Sequence, residues 1–159
     1  MSKLIFRETK SSDLGFLDEI RGEELHKLHL DRFENQKKGF VKYLIVFNGK
    51  NPIGHVLITF KNFYSWHKFP AIEDLYVKKE ERKKKFAKQI MGYAEFLVKT
   101  KGHNKICLDV ETHEFWIRSF YESLGYEKIS GVHDLKYFVE RNGINEECVE
   151  KVNYFEKSL

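Results

Sequence analysis

The chain has 159 residues, the size of one domain with a sizeable core, and 42% apolar with 15% aromatic residues excludes a disordered chain. Its net charge of +4, from 28 Lys and Arg against 24 Asp and Glu, is too small for a dedicated nucleic-acid binder but favours an anionic ligand. Cys107 and Cys148 make no CxxC or zinc spacing, no stretch approaches the ~20 apolar residues of a membrane span, and Lys3, Arg7 and Glu8 interrupt any apolar leader, so the expectation is a soluble, reduced, cytoplasmic protein.

Residues 4–8 (LIFRE) alternate as a strand. Ser12-Asp13 predicts a helix cap, with Leu14, Leu17 and Ile20 as the apolar stripe behind it. A second helix is predicted from about 22 to 34, carrying Leu25, Leu28 and Leu30. YLIVF (43–47) and HVLITF (55–60) read as strands around the hairpin signal NGKNP. AIEDLYV (71–77) is a strand opened by Pro70. Phe86, Ile90, Tyr93 and Leu97 mark the apolar face of a helix that ends near Gly102. KICLDVE (105–111) alternates as a strand, and FWIRSFYESLGY (115–126) is a short helix stopped by Gly125. Two more strands are expected around 134–140 and 150–157, separated by RNGIN. This order, β-α-α-β-β-β-α-β-α-β-β, predicts a single mixed α/β (α+β) domain with one central sheet of seven strands and four helices.

RKKKFAK (82–88) holds five basic residues in seven, between a predicted strand and a predicted helix. A helix start carries unpaired N–H groups and about half a positive charge, so it suits an anion. Lys83, Lys84 and Lys85 oppose that dipole, and an anion bound there would offset the repulsion. Position alone leaves three readings open: a solvated basic face, a nucleic-acid grip, or a phosphate loop.

The surrounding stretch, VKKEERKKKFAKQIM, resembles the pyrophosphate loop of the GNAT N-acetyltransferases, R/Q-x-x-G-x-G/A after a strand ending in valine. Here Arg82-x-x-Lys85-x-Ala87 follows Leu75-Tyr76-Val77. FYESLGY (120–126) is similar to the family's xYexxGF helix end. The resemblance covers nearly the whole chain, most specifically 71–91 and 114–126. The chain departs from the pattern twice: Lys85 stands where the first motif glycine falls, and Glu114 where the family commonly has asparagine. A lysine fits the glycine position if that residue is already helical.

The resemblance implies direct acetyl transfer from acetyl-CoA to a primary amine, with no metal and no covalent enzyme intermediate. It implies that the backbone at Leu75, Tyr76 and Val77 holds the pantetheine arm and the thioester carbonyl. Arg82, Lys83, Lys84, Lys85, Phe86, Ala87 and Lys88, with Glu114, would then border the cofactor. IEDLYV looks like the EDxxV stretch of the polyamine acetyltransferase branch, which makes Glu73 the base. Strand alternation sends Glu73 and Asp74 to opposite faces, so one of them at most meets the site. Tyr121 falls where the family's tyrosine protonates the leaving thiolate, and an ordinary phenol with a pKa near ~10 can do so.

The acceptor is less legible. Asp18, Glu19, Glu23, Glu24, Asp31 and Glu34 cluster in the first two helices and would suit a cationic amine, small or on a protein, or form a solvated face. Phe63, Tyr64, Trp66 and Phe69 read either as one wall of the acceptor pocket or as core and dimer contact. His26 and His29 lack a third ligand and are expected at the surface, as is His113. Two alternatives stay open: a GNAT fold that has lost catalysis and acts as a CoA-binding or interaction module, and a basic nucleic-acid-binding domain. A homodimer through the C-terminal strands is compatible with the sequence, and nothing in it points to a membrane partner.

Overall fold

A computed structural model describes residues 3–159. Its elements run β1 (Leu4–Glu8), α1 (Leu14–Arg21), α2 (His26–Lys37), β2 (Val41–Asn48), β3 (Asn51–Thr59), β4 (Ala71–Val77), α3 (Phe86–Thr100), β5 (Lys105–Glu111), α4 (Phe115–Ser123), β6 (Glu127–Arg141) and β7 (Ile144–Ser158). That is the order which hydrophobic periodicity predicts. The seven strands make one sheet in the order β1-β2-β3-β4-β5-β7-β6. Every neighbouring pair is antiparallel except β4 and β5, which are parallel.

Helices cover both faces of the sheet. Tyr43, Ile45 and Phe47 of β2 pack with Leu17 and Ile20 of α1 on one face. Leu44 and Val46, one step out of phase, join α3 and the rest of the main core on the other. A strand buried on both faces reads as the unbroken apolar run YLIVF. On α3 the buried residues are Phe86, Ile90, Met91, Ala94 and Val98. Tyr93 and Leu97 only flank the core, so the buried stripe lies one step round the helix from the predicted face. Each fully buried aliphatic or aromatic side chain here stabilises the fold by about 1.5–3 kcal/mol.

Three boundaries differ from expectation. Asp13 does not cap α1: its carboxylate accepts from the Lys10 amide at 2.8 Å and pairs with Arg7, closing the short 3-10 turn ahead of the helix. The second helix begins at His26, after another 3-10 turn at 23–25, and continues to Lys37. The last two strands are 15 residues each, far longer than their apolar segments. They form a hairpin closed by Asn142 and Gly143, both at positive φ (50° and 78°), the geometry that an Asn-Gly turn supplies. Its polar outer residues hid its length, and β6 forms the outer edge of the sheet. Among the described residues, no helix is long and apolar enough to cross a membrane.

Candidate active site

β4 and β5 share two register pairs, Ala71 with Cys107 and Ile72 with Leu108. Beyond Ile72 the edge of β4 has no partner on the β5 side among the described residues, while its other edge stays bonded to β3 as far as Val77. Unpaired backbone groups therefore line an opening in the middle of the sheet. Gly54 of β3 permits the close packing there, since a Cβ on it would meet the Tyr76 carbonyl oxygen at 2.4 Å.

The ladder between β3 and β4 slips at this point. Leu57 pairs with Asp74 and Ile58 with Ile72, leaving Glu73 as the extra residue of a bulge. The bulge breaks the two-residue alternation, so Glu73 and Asp74 both line the cavity between β4, α2 and the β6–β7 hairpin. The expectation that they face opposite ways fails for that reason. Asp74 is taken up by arginines, with Arg21 at 3.1 Å and Arg32 at 2.8 Å. Burial works to raise its pKa, but Arg32, with His55 and Arg21, holds it well below the usual carboxylate range. Glu73 is the opposite case. Its Oε1 is buried without a hydrogen-bond partner, and burial pushes its pKa up despite the nearby His67.

A cavity of about 190 Å³ joins Glu73 to Tyr121 of α4, together with Asp109, Glu111, Glu114 and Glu150. Tyr121 is 9% exposed. Burial raises its pKa above the ordinary phenol range, so it holds its proton more firmly than a free phenol. On the acceptor side lies a cavity of about 520 Å³, which shares Glu73, Glu111 and Glu150 with the first. Burial and the Glu150 carboxylate raise the Glu111 pKa.

A third cavity, about 550 Å³, lies at the start of α3. It is lined by Val77, Glu81, Arg82, Lys83, Lys85, Phe86, Ala87 and Lys88, with Phe120 of α4 and Leu124 just after it. Lys85 is not helical: it immediately precedes α3 in the left-handed region, at φ 62° and ψ 18°, and Lys83 has φ 65°. The chain therefore keeps the backbone shape that a glycine would supply, at a cost of about 1–2 kcal/mol for each lysine. No side chain caps α3, and its first turn has no acidic residue. The first bond across its start runs from the Gln89 amide to the Lys85 carbonyl, which leaves the amides of Phe86, Ala87 and Lys88 free to meet an anion. Lys84 does not line this cavity but pairs at 2.9 Å with Glu81, which does. Arg82 donates to the Val77 carbonyl at 2.9 Å, tying the loop to the end of β4. Glu114 precedes α4 and lines the central cavity rather than this one. Leu75 packs against the main core, and the Tyr76 ring stacks on His55.

Residues 6–126 match the model of the acetyltransferase (GNAT) family. The chain belongs to the GNAT family. Family members are N-acetyltransferases that use acetyl-CoA. No curated protein matches the chain in sequence. Solved GNAT structures share its fold at low identity. PaiA N-acetyltransferase from Thermoplasma acidophilum, solved in complex with coenzyme A, is 18% identical with a TM-score of 0.71, covering 99% of both chains. Spermidine N-acetyltransferase from Vibrio cholerae, solved with CoA and spermine, is 19% identical with a TM-score of 0.71, over 98% of this chain and 95% of that one. Ribosomal-protein-alanine N-acetyltransferase from Brucella melitensis is 13% identical with a TM-score of 0.72, over 98% and 99%.

Within this GNAT domain the acceptor side departs from expectation. The acids of the first two helices are largely paired within the protein: Asp18 with His26 at 2.7 Å, Glu19 with Lys78 at 2.6 Å, Glu34 with Lys37 at 3.1 Å, and Asp31 with Lys27. Glu23 and Glu24 lie near the hairpin tip. The carboxylates shared by the central and the larger neighbouring cavity, Glu73, Glu111 and Glu150, come instead from β4, β5 and β7. The aromatic loop divides its roles. Tyr64 lines the acceptor cavity, Trp66 and Phe69 pack over Ala71, Cys107 and Tyr154, and Phe63 is exposed. Cys107 is a buried strand residue whose thiol pKa burial pushes up to about 12. His29 is fully buried, contrary to expectation, and meets the Tyr43 hydroxyl at 3.0 Å. Burial lowers its pKa to about 4, and that of His55 to about 3. Glu111, His113 and Glu114 bring their ligand atoms within 4.8 Å of one another, but all three retain some exposure.

Proposed function

We propose that this protein transfers the acetyl group of acetyl-CoA to a primary amine of a cationic acceptor, a polyamine-like or amino-acid-like small molecule or a protein amine, with Glu73 as base and Tyr121 as proton donor. One observation carries the reading: Glu73 and Tyr121 line a single cavity at the point where β4 and β5 part. When bound, acetyl-CoA supplies the acetyl group as a reactive thioester. The amides at the start of α3, with Arg82, Lys83, Lys85 and Lys88, would hold its phosphates, and the free edge of β4 from Leu75 to Val77 would hold its arm.

The amine must lose a proton before it can attack. Glu73 takes that proton, breaking an N–H bond and forming an O–H bond, and its raised pKa makes it a stronger base than an exposed glutamate. Tyr121 stays protonated because it is buried, so it meets the departing sulfur as a hydrogen-bond donor. As the C–N bond forms and the C–S bond breaks, the departing sulfur takes the Tyr121 proton, and the tyrosinate left behind, disfavoured by the same burial, regains a proton from solvent before the next turnover. Across the two cavities six carboxylates, those of Glu73, Asp74, Asp109, Glu111, Glu114 and Glu150, face three arginines, Arg21, Arg32 and Arg141. That surplus of negative charge supports an acceptor with more than one positive charge.

The test is a thermal-shift titration with acetyl-CoA, using dephospho-CoA and ATP as controls, followed by CoA-release assays with spermidine, lysine and N-terminal peptides. Saturable stabilisation and turnover of a cationic amine are expected, with Glu73→Gln slower by about 100-fold. Cofactor binding with equal turnover of neutral and cationic amines would reject the acceptor class. Wild-type rates in Glu73→Gln would reject the base.

A further inference from the structure

His67 lies in the loop between β3 and β4, 5% exposed, and the chemistry above does not use it. Its Nε2 stands 2.5 Å from Asp109 Oδ2. The other Asp109 oxygen accepts from Trp66 Nε1 at 3.0 Å. Both oxygens of that carboxylate are acceptors, so Nε2 carries the hydrogen it donates. The ring cannot easily turn, because Tyr64, Trp66 and Tyr154 pack around it at 5.3, 5.7 and 6.0 Å between centroids. The remaining nitrogen, Nδ1, stands 3.8 Å from Glu73 Oε1, the buried oxygen that lacks a hydrogen-bond partner.

We infer that His67, braced by Asp109, is a positioning residue that holds Glu73 through Oε1 and leaves Oε2 to meet the acceptor amine. This rests on Glu73 being the base. The 3.8 Å gap closes to a hydrogen bond when substrate fills the cavity, as contacts in empty sites commonly do. His67 is the foremost group opposing the burial that raises the Glu73 pKa. That arrangement keeps the base ionised in a cavity that otherwise disfavours its charge.

Few other groups can do this. Arg32 of α2 and Arg21 of α1 are bound to Asp74 at 2.8 and 3.1 Å, and Arg141 of β6, which lines the same cavity, pairs with Glu146 at 3.6 Å. Asp109 and Glu111 of β5, with Glu150 of β7, are carboxylates and oppose ionisation of Glu73. The Thr59 hydroxyl of β3 also works to lower the Glu73 pKa, but as a neutral donor, while Tyr64 of the loop, Tyr121 of α4 and Tyr154 of β7 add only neutral hydroxyls. The signal in the sequence was a histidine inside an aromatic loop, 42 residues from its aspartate partner.

The experiment compares wild type, His67→Gln, Glu73→Gln and the double variant, reading kcat/KM for spermidine, or for whichever amine the screen above returns, from about pH 6 to about pH 9. Loss of His67 moves the acid limb to higher pH, with about a tenfold loss of rate below the limb for each unit moved, a smaller loss on the plateau, and acetyl-CoA affinity within about twofold. In the Glu73→Gln background the same change has no further effect on the profile. A limb that stays in place in His67→Gln overturns the inference while leaving Glu73 as base. A wild-type rate in Glu73→Gln overturns the base itself. If His67→Gln fails to fold, His67→Asn gives the same reading: a limb that does not move overturns the inference. A readout independent of turnover is the ring-nitrogen NMR shifts of the histidines. Glu73→Gln shifts the His67 signals, and unchanged signals overturn the contact.

Discussion

Asp74 sits between Arg21 and Arg32, at 3.1 and 2.8 Å, whereas Glu73, its neighbour in β4, meets no arginine at ion-pair distance and keeps one oxygen buried without a partner. The helix side of the bulge is thus an anchored ion-pair cluster, and the cleft side is held short of neutralising charge. The difference teaches that the bulge separates two tasks that ordinary alternation would have sent to opposite faces. One carboxylate ties α1 and α2 to the sheet, and the other stays reactive.

The largest effect is expected from removing the anchor. Asp74→Asn leaves two part-buried arginines without a counter-charge and destabilises the fold by about 3 kcal/mol, read by urea denaturation at neutral pH. Because the folded-state pKa of Asp74 is depressed, its contribution is complete above the unfolded value of 3.8 and is lost as the pH falls through the lower folded value. The loss caused by the variant therefore shrinks in strong acid. A stability equal to wild type at neutral pH would remove the anchor role.

On the cleft side, Tyr121→Phe is expected to lower kcat by about 100-fold while changing acetyl-CoA affinity by less than about twofold. Single-turnover rates and a binding titration separate the two; loss of affinity without loss of rate would make Tyr121 a packing residue. A smaller effect sharpens the comparison directly. Glu73 has a raised folded pKa, so its stabilising share is present below its ordinary value of 4.5 and is lost as the pH rises through the folded value. Glu73→Gln should therefore melt higher than wild type at alkaline pH and alike in acid, the reverse of Asp74→Asn. The smallest effect is expected at the cofactor loop. Lys85→Gly relieves the left-handed strain and stabilises the free protein by about 1 kcal/mol, while the lost charge lowers the thermal shift given by acetyl-CoA. A destabilised Lys85→Gly would mean that the ammonium contributes more to the fold than the backbone strain costs.

Much of the fold was legible because its strands and helices follow clean periods. YLIVF announces a strand buried on both sides, and the Phe86–Ile90 spacing announces α3. Glu73, Tyr121 and most of the basic loop could be singled out from local motifs, since each lies within a short, ordered segment. What stayed hidden depends on register and distant pairing. The bulge at Glu73 is a slip between two ladders and leaves no mark in AIEDLYV. Glu150 reaches the cleft only because β7 is inserted beside β5, where Glu111 pairs with Val152. His29 looks like a surface residue by composition, yet it is fully buried among aromatic rings with His55 of β3. The left-handed lysines are illegible in another way, because residue type argues against the conformation they adopt.

The two-pair junction between β4 and β5 has a consequence for how the molecule assembles. Every ladder from β1 to β4 joins strands that are neighbours in the chain, although two helices intervene between β1 and β2. The junction with β5 must close over the whole of α3 and receives only a short parallel ladder in return. Cooperativity between the two half-sheets therefore rests on the shared apolar layer beneath α3 and α4 rather than on strand hydrogen bonds. The cleft is also the seam of the sheet, and amides along it exchange with solvent ahead of those deep in either half.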